Sequence, residues 1–348
     1  MSKITTTDST SISKLGEFKL IDRIKENVII YNDETVRGIG DDAAVIDSGK
    51  NFQLISTDLL VEGVHFDLAY TPLKHLGYKA VIANISDICA MNGKAKQITV
   101  GLALSNRFPI ESIDELYQGI NLAAKKYKID IVGGDTTSSI SGLMISISVL
   151  GIVEKKKIVY RSGANKNDLV VVTGDLGAAY LGLQLLKREK QIFLENPKIQ
   201  PDLSGHDYIL ERQLKPECGA HYLNIMEELK VIPTSMIDIS DGLASEALHL
   251  AQSSNVSIML YEDKIPIDHT VMNLANEFNL NPVLCALNGG EDYELLFTIS
   301  QKEYDKFKKD VDFTIVGYVA DKSEESSFIA KDNTKHPLTA QGWNALLD

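Results

Sequence analysis

Repeatedly along this chain, a short apolar run suited to a buried strand is bordered by an acidic residue beside glycine, serine or threonine. GIGDDAAVI (38–46), ISTD (55–58), IVGGDTT (131–137), IDISDG (237–242) and GGEDYELLFT (289–298) all share this grammar. Taken singly, each is ordinary turn punctuation. NISD (84–87) adds an aspartate inside a predicted helix, where Asp is a poor choice. In α/β sheets, ligand sites gather at the carboxyl ends of strands, so the recurrence points to one shared site.

The surrounding pattern supports an α/β or α+β fold with helices layered on a sheet. FQLIS (52–56), KQITVGLALS (96–105), IDIV (129–132) and LMISISVLGIV (143–153) read as strands. Between them, Thr71-Pro72 predicts the start of a helix running to about Met91, with Gly93 beyond its end. Ser112 and Glu115 form an S-x-x-E capping signature ahead of a helix carrying Ile113, Leu116, Ile120, Ala124 and Tyr127. The basic, glycine-containing stretch 153–168 divides the chain. The expected units are a loose tail (1–13), an N-terminal domain (14–153) and a C-terminal α/β domain (154–348). A chain of 348 residues suits two domains. The second half shows strands at DLVVVTG (168–174), SMIDIS (235–240), YELLFTI (293–299) and FTIVGYV (313–319).

Charge narrows the function. Lys plus Arg number 35 against 48 Asp plus Glu, a formal net charge of −13. That balance argues against a nucleic-acid partner, which needs a basic face. No apolar run approaches a membrane span, and the polar N-terminus lacks a signal-peptide core. Three widely spaced cysteines form no CxxC motif, which fits a reducing cytoplasm.

If Asp42, Asp58, Asp87, Asp135, Asp238 and Asp241 converge, their mutual repulsion is large. Two carboxylates about 4 Å apart repel by roughly 4 kcal/mol at an effective dielectric near 20. Divalent cations offset this, and all-oxygen donors suit a hard ion such as Mg²⁺. The adjacent pair Asp41-Asp42 then reads as one metal ligand and one supporting turn group. Bound Mg²⁺ also lets an acidic protein accept an anionic nucleotide. No G-x-x-x-x-G-K-[ST] occurs, so a P-loop is excluded. Arg161 and Lys79 are the candidate direct cations.

These motifs, in this order, resemble the thiamine-monophosphate kinases of the aminoimidazole-ribonucleotide synthetase superfamily. The resemblance runs from LGEFKLI (15–21) to GW (342–343), through STDLLVEGVHF, YRSGA, VTGDLGAA, MIDISDGL and NGGEDYELLFT. It implies ATP-dependent phosphorylation of thiamine monophosphate to thiamine diphosphate by direct in-line transfer. It also implies a homodimer whose N-terminal domains complete a shared barrel-like sheet, with ATP and several Mg²⁺ ions between the domains. Residue by residue, the resemblance makes Asp42, Ser56, Thr57, Asp58, Asp87, Asp135, Asp238 and Asp241 metal ligands. Tyr127, Gly134, Asp135, Arg161 and Ser240 would contact ATP, Tyr127 fitting equally as core packing at a helix end. His65, Glu291 and Trp343 would contact the thiamine phosphate. A thiazolium cation favours a carboxylate and an aromatic face. No general base is assigned, because the attacking phosphate is already ionised near neutral pH. A sibling that activates selenide would carry a reactive cysteine near its N-terminus, whereas the earliest here is Cys89. Two stretches depart from the family pattern. AMNGKAK (90–96) suggests a longer helix exit after Asp87, and 190–206 follows no family motif.

Overall fold

A computed structural model describes residues 16–307 and 312–341. The expected tail (1–13) and Trp343 lie outside them. Two sheets account for most of the strands. The first contains β1 (Thr35–Arg37), β2 (Ala44–Asp47), β3 (Asn51–Val61), β4 (Lys94–Leu104), β5 (Asp130–Ser138) and β6 (Met144–Glu154). Its order is β1-β2-β3-β6-β4-β5, antiparallel except for the parallel β4–β5 pair.

Alternation decides which face of this sheet is covered. Along β6, Ile145, Ile147 and Val149 are fully buried, while the residues between them are partly exposed. Two helices, Leu73–Ala90 and Ile110–Tyr127, cover that face. They approach so closely that a Cβ on Gly77 would sit 2.1 Å from Leu116 O, and one on Gly119 1.8 Å from Lys74 O. Only glycine fits at this crossing.

The second sheet contains β7 (Leu169–Thr173), β8 (Ser235–Asp238), β9 (Ser257–Tyr261), β10 (Leu295–Ile299), β11 (Phe313–Ala320), β12 (Ser327–Ile329) and β13 (Lys335–Pro337). Its order is β13-β12-β9-β11-β7-β10-β8. The middle strands are buried on both faces and read as unbroken apolar runs such as LLFTI. One core continues from the first sheet into the second, joining Leu76 and Ile85 to Met236 and Phe297.

Three local expectations are corrected. The first helix begins at Leu73 with Pro72 at its N-cap, one residue later than the Thr71-Pro72 reading. The second begins at Ile110, directly after Pro109, so Ser112 lies inside it and no capping box forms. Proline, with φ already set and no N–H to satisfy, starts a helix without help from serine. The acidic motifs are also not uniformly at strand ends. An eleven-residue antiparallel ladder with β6 carries β3 through Asp58 to Val61. Parallel pairing with β4 likewise carries β5 through Gly133, Gly134 and Asp135 to Ser138. Asn92, left-handed at φ 57°, absorbs the longer helix exit: its N–H reaches Cys89 O and its side chain Lys157 O.

Candidate active site

Asp42, Asp87 and Asp238 each place one carboxylate oxygen within 4.8 Å of the other two. They come from three elements: the loop before β2, the Leu73–Ala90 helix, and the last position of β8. Asp58 joins them from β3, where alternation sends Ser56 and Asp58 inward and Thr57 and Leu59 outward. Ser56 Oγ donates to Asp87 Oδ2 at 2.5 Å, and Ser86 Oγ donates to Asp238 Oδ2 at 2.6 Å. Asn84 Oδ1 accepts from the Asp58 N–H at 3.0 Å.

Burial is the first cause of the raised carboxyl pKa values here, and neighbouring negative charge adds to it at Asp87 and Asp238. Asp87 is pushed well above the usual range by burial, then by Asp58, Asp238 and Asp42. Burial and Asp42 raise Asp238 to about 7, and burial raises Asp58 to about 6. Such carboxyls give up their protons more readily when a cation joins them.

The consecutive aspartates divide their roles. Asp41 Oδ2 pairs with Arg37 Nε at 3.1 Å, and its Oδ1 accepts from the Arg161 N–H at 3.2 Å. Asp42 Oδ1 takes both Arg161 Nη2 (2.6 Å) and Nε (3.1 Å). Asp42 Oδ2 is buried without a hydrogen-bond partner. A buried carboxylate oxygen without a donor is costly, and a bound cation satisfies it. Carboxylates with a serine hydroxyl beside them form an oxygen set that fits Mg²⁺.

Asp58, Asp87 and Asp238 line a cleft of about 670 Å³ whose walls include His65, Asp241, Ser240 and Glu291. His65 Nδ1 accepts from the Val61 N–H at 3.0 Å. Desolvation lowers the pKa of His65 despite the opposing charge of Glu291. Asp241 is raised to about 6, chiefly by burial and then by Glu17. Glu291 and Tyr293 are both left-handed, at φ 69° and 52°. Their strained loop is tied by Glu291 N–H to Ser240 O (2.8 Å) and Tyr293 N–H to Ile239 O (2.9 Å). Gly290 permits this closeness, since a Cβ there would meet Ser240 O at 2.3 Å.

Other expected residues stand apart. Asp135 is exposed on β5 and aligns through Gly101 and Ser146 with Leu59. It therefore shares the outward face of Thr57, opposite the carboxylate cluster. The Thr57 hydroxyl donates to Ile147 O and accepts from Ser148 Oγ. Gly134, also exposed, packs its α-carbon against the backbone of Val100. Tyr127 hydrogen-bonds Glu217, which also takes Tyr78 Oη and Lys126, so it packs at the junction of the two halves rather than in the cleft. Lys79 is not a free cation, because it is buried against Glu291 at 2.6 Å.

Ser86, Asn84 and Glu246 were not anticipated. Glu246 is buried and accepts the Asp241 N–H through Oε1 at 3.0 Å. A signal for the first two was present: polar residues at 84 and 86 interrupt the buried apolar run that begins at Ala80.

Known proteins match this arrangement. Residues 40–153 fit the family described as AIR synthase related protein, N-terminal domain. Thiamine-monophosphate kinase of Bacillus subtilis (strain 168) is 36% identical over 336 residues, covering 95% of this chain and 99% of that one. The enzyme of the same name from Aquifex aeolicus (strain VF5) is 34% identical over 333 residues, covering 95% and 98%. The solved structure described as AaThiL complexed with AMPPCP and TMP superposes with a TM-score of 0.81 at 31% identity, covering 97% of this chain and 99% of that one. Hydrogenase maturation protein HypE in complex with ATP, at 15% identity and a TM-score of 0.67, covers 94% and 96% and shares the fold. With relatives of this identity matched almost end to end, the chain belongs to the thiamine-monophosphate kinase family.

Proposed function

We propose that this protein transfers the terminal phosphoryl group of ATP to the phosphate of thiamine monophosphate, yielding ADP and thiamine diphosphate. The observation that carries the reading is the close trio Asp42, Asp87 and Asp238, of which Asp87 and Asp238 line a cleft. Family membership and the AMPPCP and TMP bound in the AaThiL structure support it. An oxygen of the acceptor phosphate bonds to the γ-phosphorus as the bond to the β,γ-bridging oxygen breaks, and ADP leaves. A phosphate monoester with a second pKa of about 6 is already ionised, so no residue must remove a proton.

Asp42, Asp58, Asp87 and Asp238 would hold Mg²⁺, with Ser56 beside them and Asp241 at the cleft wall. The bound ions supply charge neutralisation between donor and acceptor phosphates. Arg161 fixes Asp42 by two hydrogen bonds and leaves Oδ2 for the cation. His65 and Glu291 wall the acceptor end, where we place the thiamine moiety together with Trp343. Asp135 and Thr57 lie on the exposed sheet face with Leu59, while Gly134, exposed on the same edge strand, aligns through Val100 and Ile147 with Asp58. β5 is an exposed edge strand of the kind that a second chain covers. We therefore expect a homodimer formed through this face and edge, with Thr57, Gly134 and Asp135 completing the ATP site. Among the described residues no helix is long and apolar enough to cross a membrane, and we place the enzyme in the cytoplasm.

Purified protein given ATP, Mg²⁺ and thiamine monophosphate should produce ADP and thiamine diphosphate, with free thiamine a poor acceptor. ADP formation only with an aminoimidazole precursor or selenide would refute the assignment.

A further inference from the structure

Lys79 is only 4% exposed, an unusual place for a lysine. Its Nζ lies 2.6 Å from Glu291 Oε1 and donates to Gln213 O at 3.1 Å. Buried Gln213 in turn donates from Nε2 to Glu291 Oε2 at 3.0 Å. Both oxygens of Glu291 are thus gripped, one from the Leu73–Ala90 helix and one from the Asp207–Leu214 helix. The grip spans the two halves of the chain and fixes a side chain whose backbone is already left-handed.

Lys79 also shares a helix face with the chemistry. Residues 79, 83 and 87 follow at four-residue intervals, so their side chains line one stripe. Ala83 and Asp87 border the cleft directly. Eight residues of α-helix span about 12 Å. One rigid element therefore carries a carboxylate of the cluster at one end and the anchor of Glu291 at the other.

We propose that Lys79 is a positioning residue for the acceptor: its ion pair with Glu291 sets where the thiamine moiety is held relative to the carboxylate cluster. This rests on the reading that Glu291 contacts the thiamine phosphate. Lys79 itself faces Glu291 and Gln213 and does not line the cleft. Removing its charge frees Glu291 to swing within a cleft that also holds Asp241, so acceptor binding suffers while the ATP end does not.

The test is steady-state kinetics on the full chain, comparing wild type, Lys79→Met, Glu291→Gln and the double variant. Lys79→Met should raise KM for thiamine monophosphate about tenfold, equivalent to about 1.4 kcal/mol. KM for ATP should stay within about twofold of wild type, because the two sites do not share this contact. In the Glu291→Gln background, adding Lys79→Met should change the acceptor KM by less than about twofold, since coupled residues are non-additive. Equal rises in both KM values, or an undiminished Lys79→Met penalty in that background, would overturn the proposal. If Lys79→Met fails to fold, Gln213→Leu removes a Glu291 contact without stranding a charge. It should raise the acceptor KM alone by about threefold; no change there overturns the proposal as well. Wild-type protein inactive on thiamine monophosphate would overturn the function itself. Active wild type with an unaltered Lys79→Met variant would overturn only the role of Lys79.

Discussion

Replacing Asp87 by Asn separates the two consequences of gathering carboxylates. In the absence of divalent ions, Asp87 faces Asp42 and Asp238 at no more than 4.8 Å between nearest ligand oxygens. Asp42 is already paired with Arg161 at 2.6 Å, so the uncompensated repulsion comes first from Asp58 and then from Asp238. At 4.8 Å and an effective dielectric near 20, the Asp238 part alone is about 3.5 kcal/mol when both groups are ionised. An asparagine Oδ1 can still accept from Ser56 Oγ, so little hydrogen bonding is lost with the charge. After allowing about 1 kcal/mol for the weaker neutral hydrogen bond, the variant should gain roughly 2–3 kcal/mol at about pH 8 without metal. For a chain of this size that is a rise in Tm of about 3 °C. The assay is thermal unfolding in EDTA and in excess MgCl₂, paired with ADP release. The variant should melt higher than wild type in EDTA, gain little from MgCl₂, and lose turnover by at least about 10²-fold. A variant that melts lower in EDTA, or that is stabilised by MgCl₂ as wild type is, would refute the idea that Asp87 is a repelled ligand.

The same cluster makes metal-free stability depend on pH. Folded-state values raised to about 6 at Asp58 and about 7 at Asp238, from 3.8 unfolded, mean that the folded state holds more protons across that window. Unfolding free energy in EDTA should therefore fall as pH rises from about 4 to about 7, while the Tm gain from MgCl₂ grows; a gain independent of pH would contradict this. Arg161→Met leaves the Asp42 carboxylate buried and unpaired, and chemical denaturation should show a loss of about 3 kcal/mol. Gly290→Ala forces a Cβ to 2.3 Å from Ser240 O, so kinetics should show a lower kcat with the Glu291 loop displaced. Normal kinetics in that variant would mean the loop has slack that its hydrogen bonds do not suggest.

Convergence of Asp42, Asp58, Asp87 and Asp238 was legible in the recurrence of carboxylates beside strand-like runs in a chain this negative, but Asp135, read with them, falls on the opposite face. The faces were less legible, though one rule was available. Three consecutive strand residues cannot all point the same way, so Ser56, Thr57 and Asp58 divide two against one. GGDTT looked like a turn from its composition, yet pairing with β4 overrides that local preference and makes it an edge strand. The false capping box at Ser112 shows a second override, by the proline three residues earlier. What sequence could not reveal was partner choice across long separations. Nothing local to Lys79 announces Glu291, and nothing in DD announces that Arg37 takes Asp41 while Arg161 takes Asp42. Such pairings are set when the two sheets close on a common core.

The glycine crossing of the Leu73–Ala90 and Ile110–Tyr127 helices has an evolutionary corollary. Main chain rests on main chain at Gly77 and Gly119, so no side chain there can be trimmed or enlarged to nudge Asp87 by small steps. On the proposed assignment of the site, drift toward a different acceptor would proceed through the loops that carry His65 and Glu291, while Asp87 stays put.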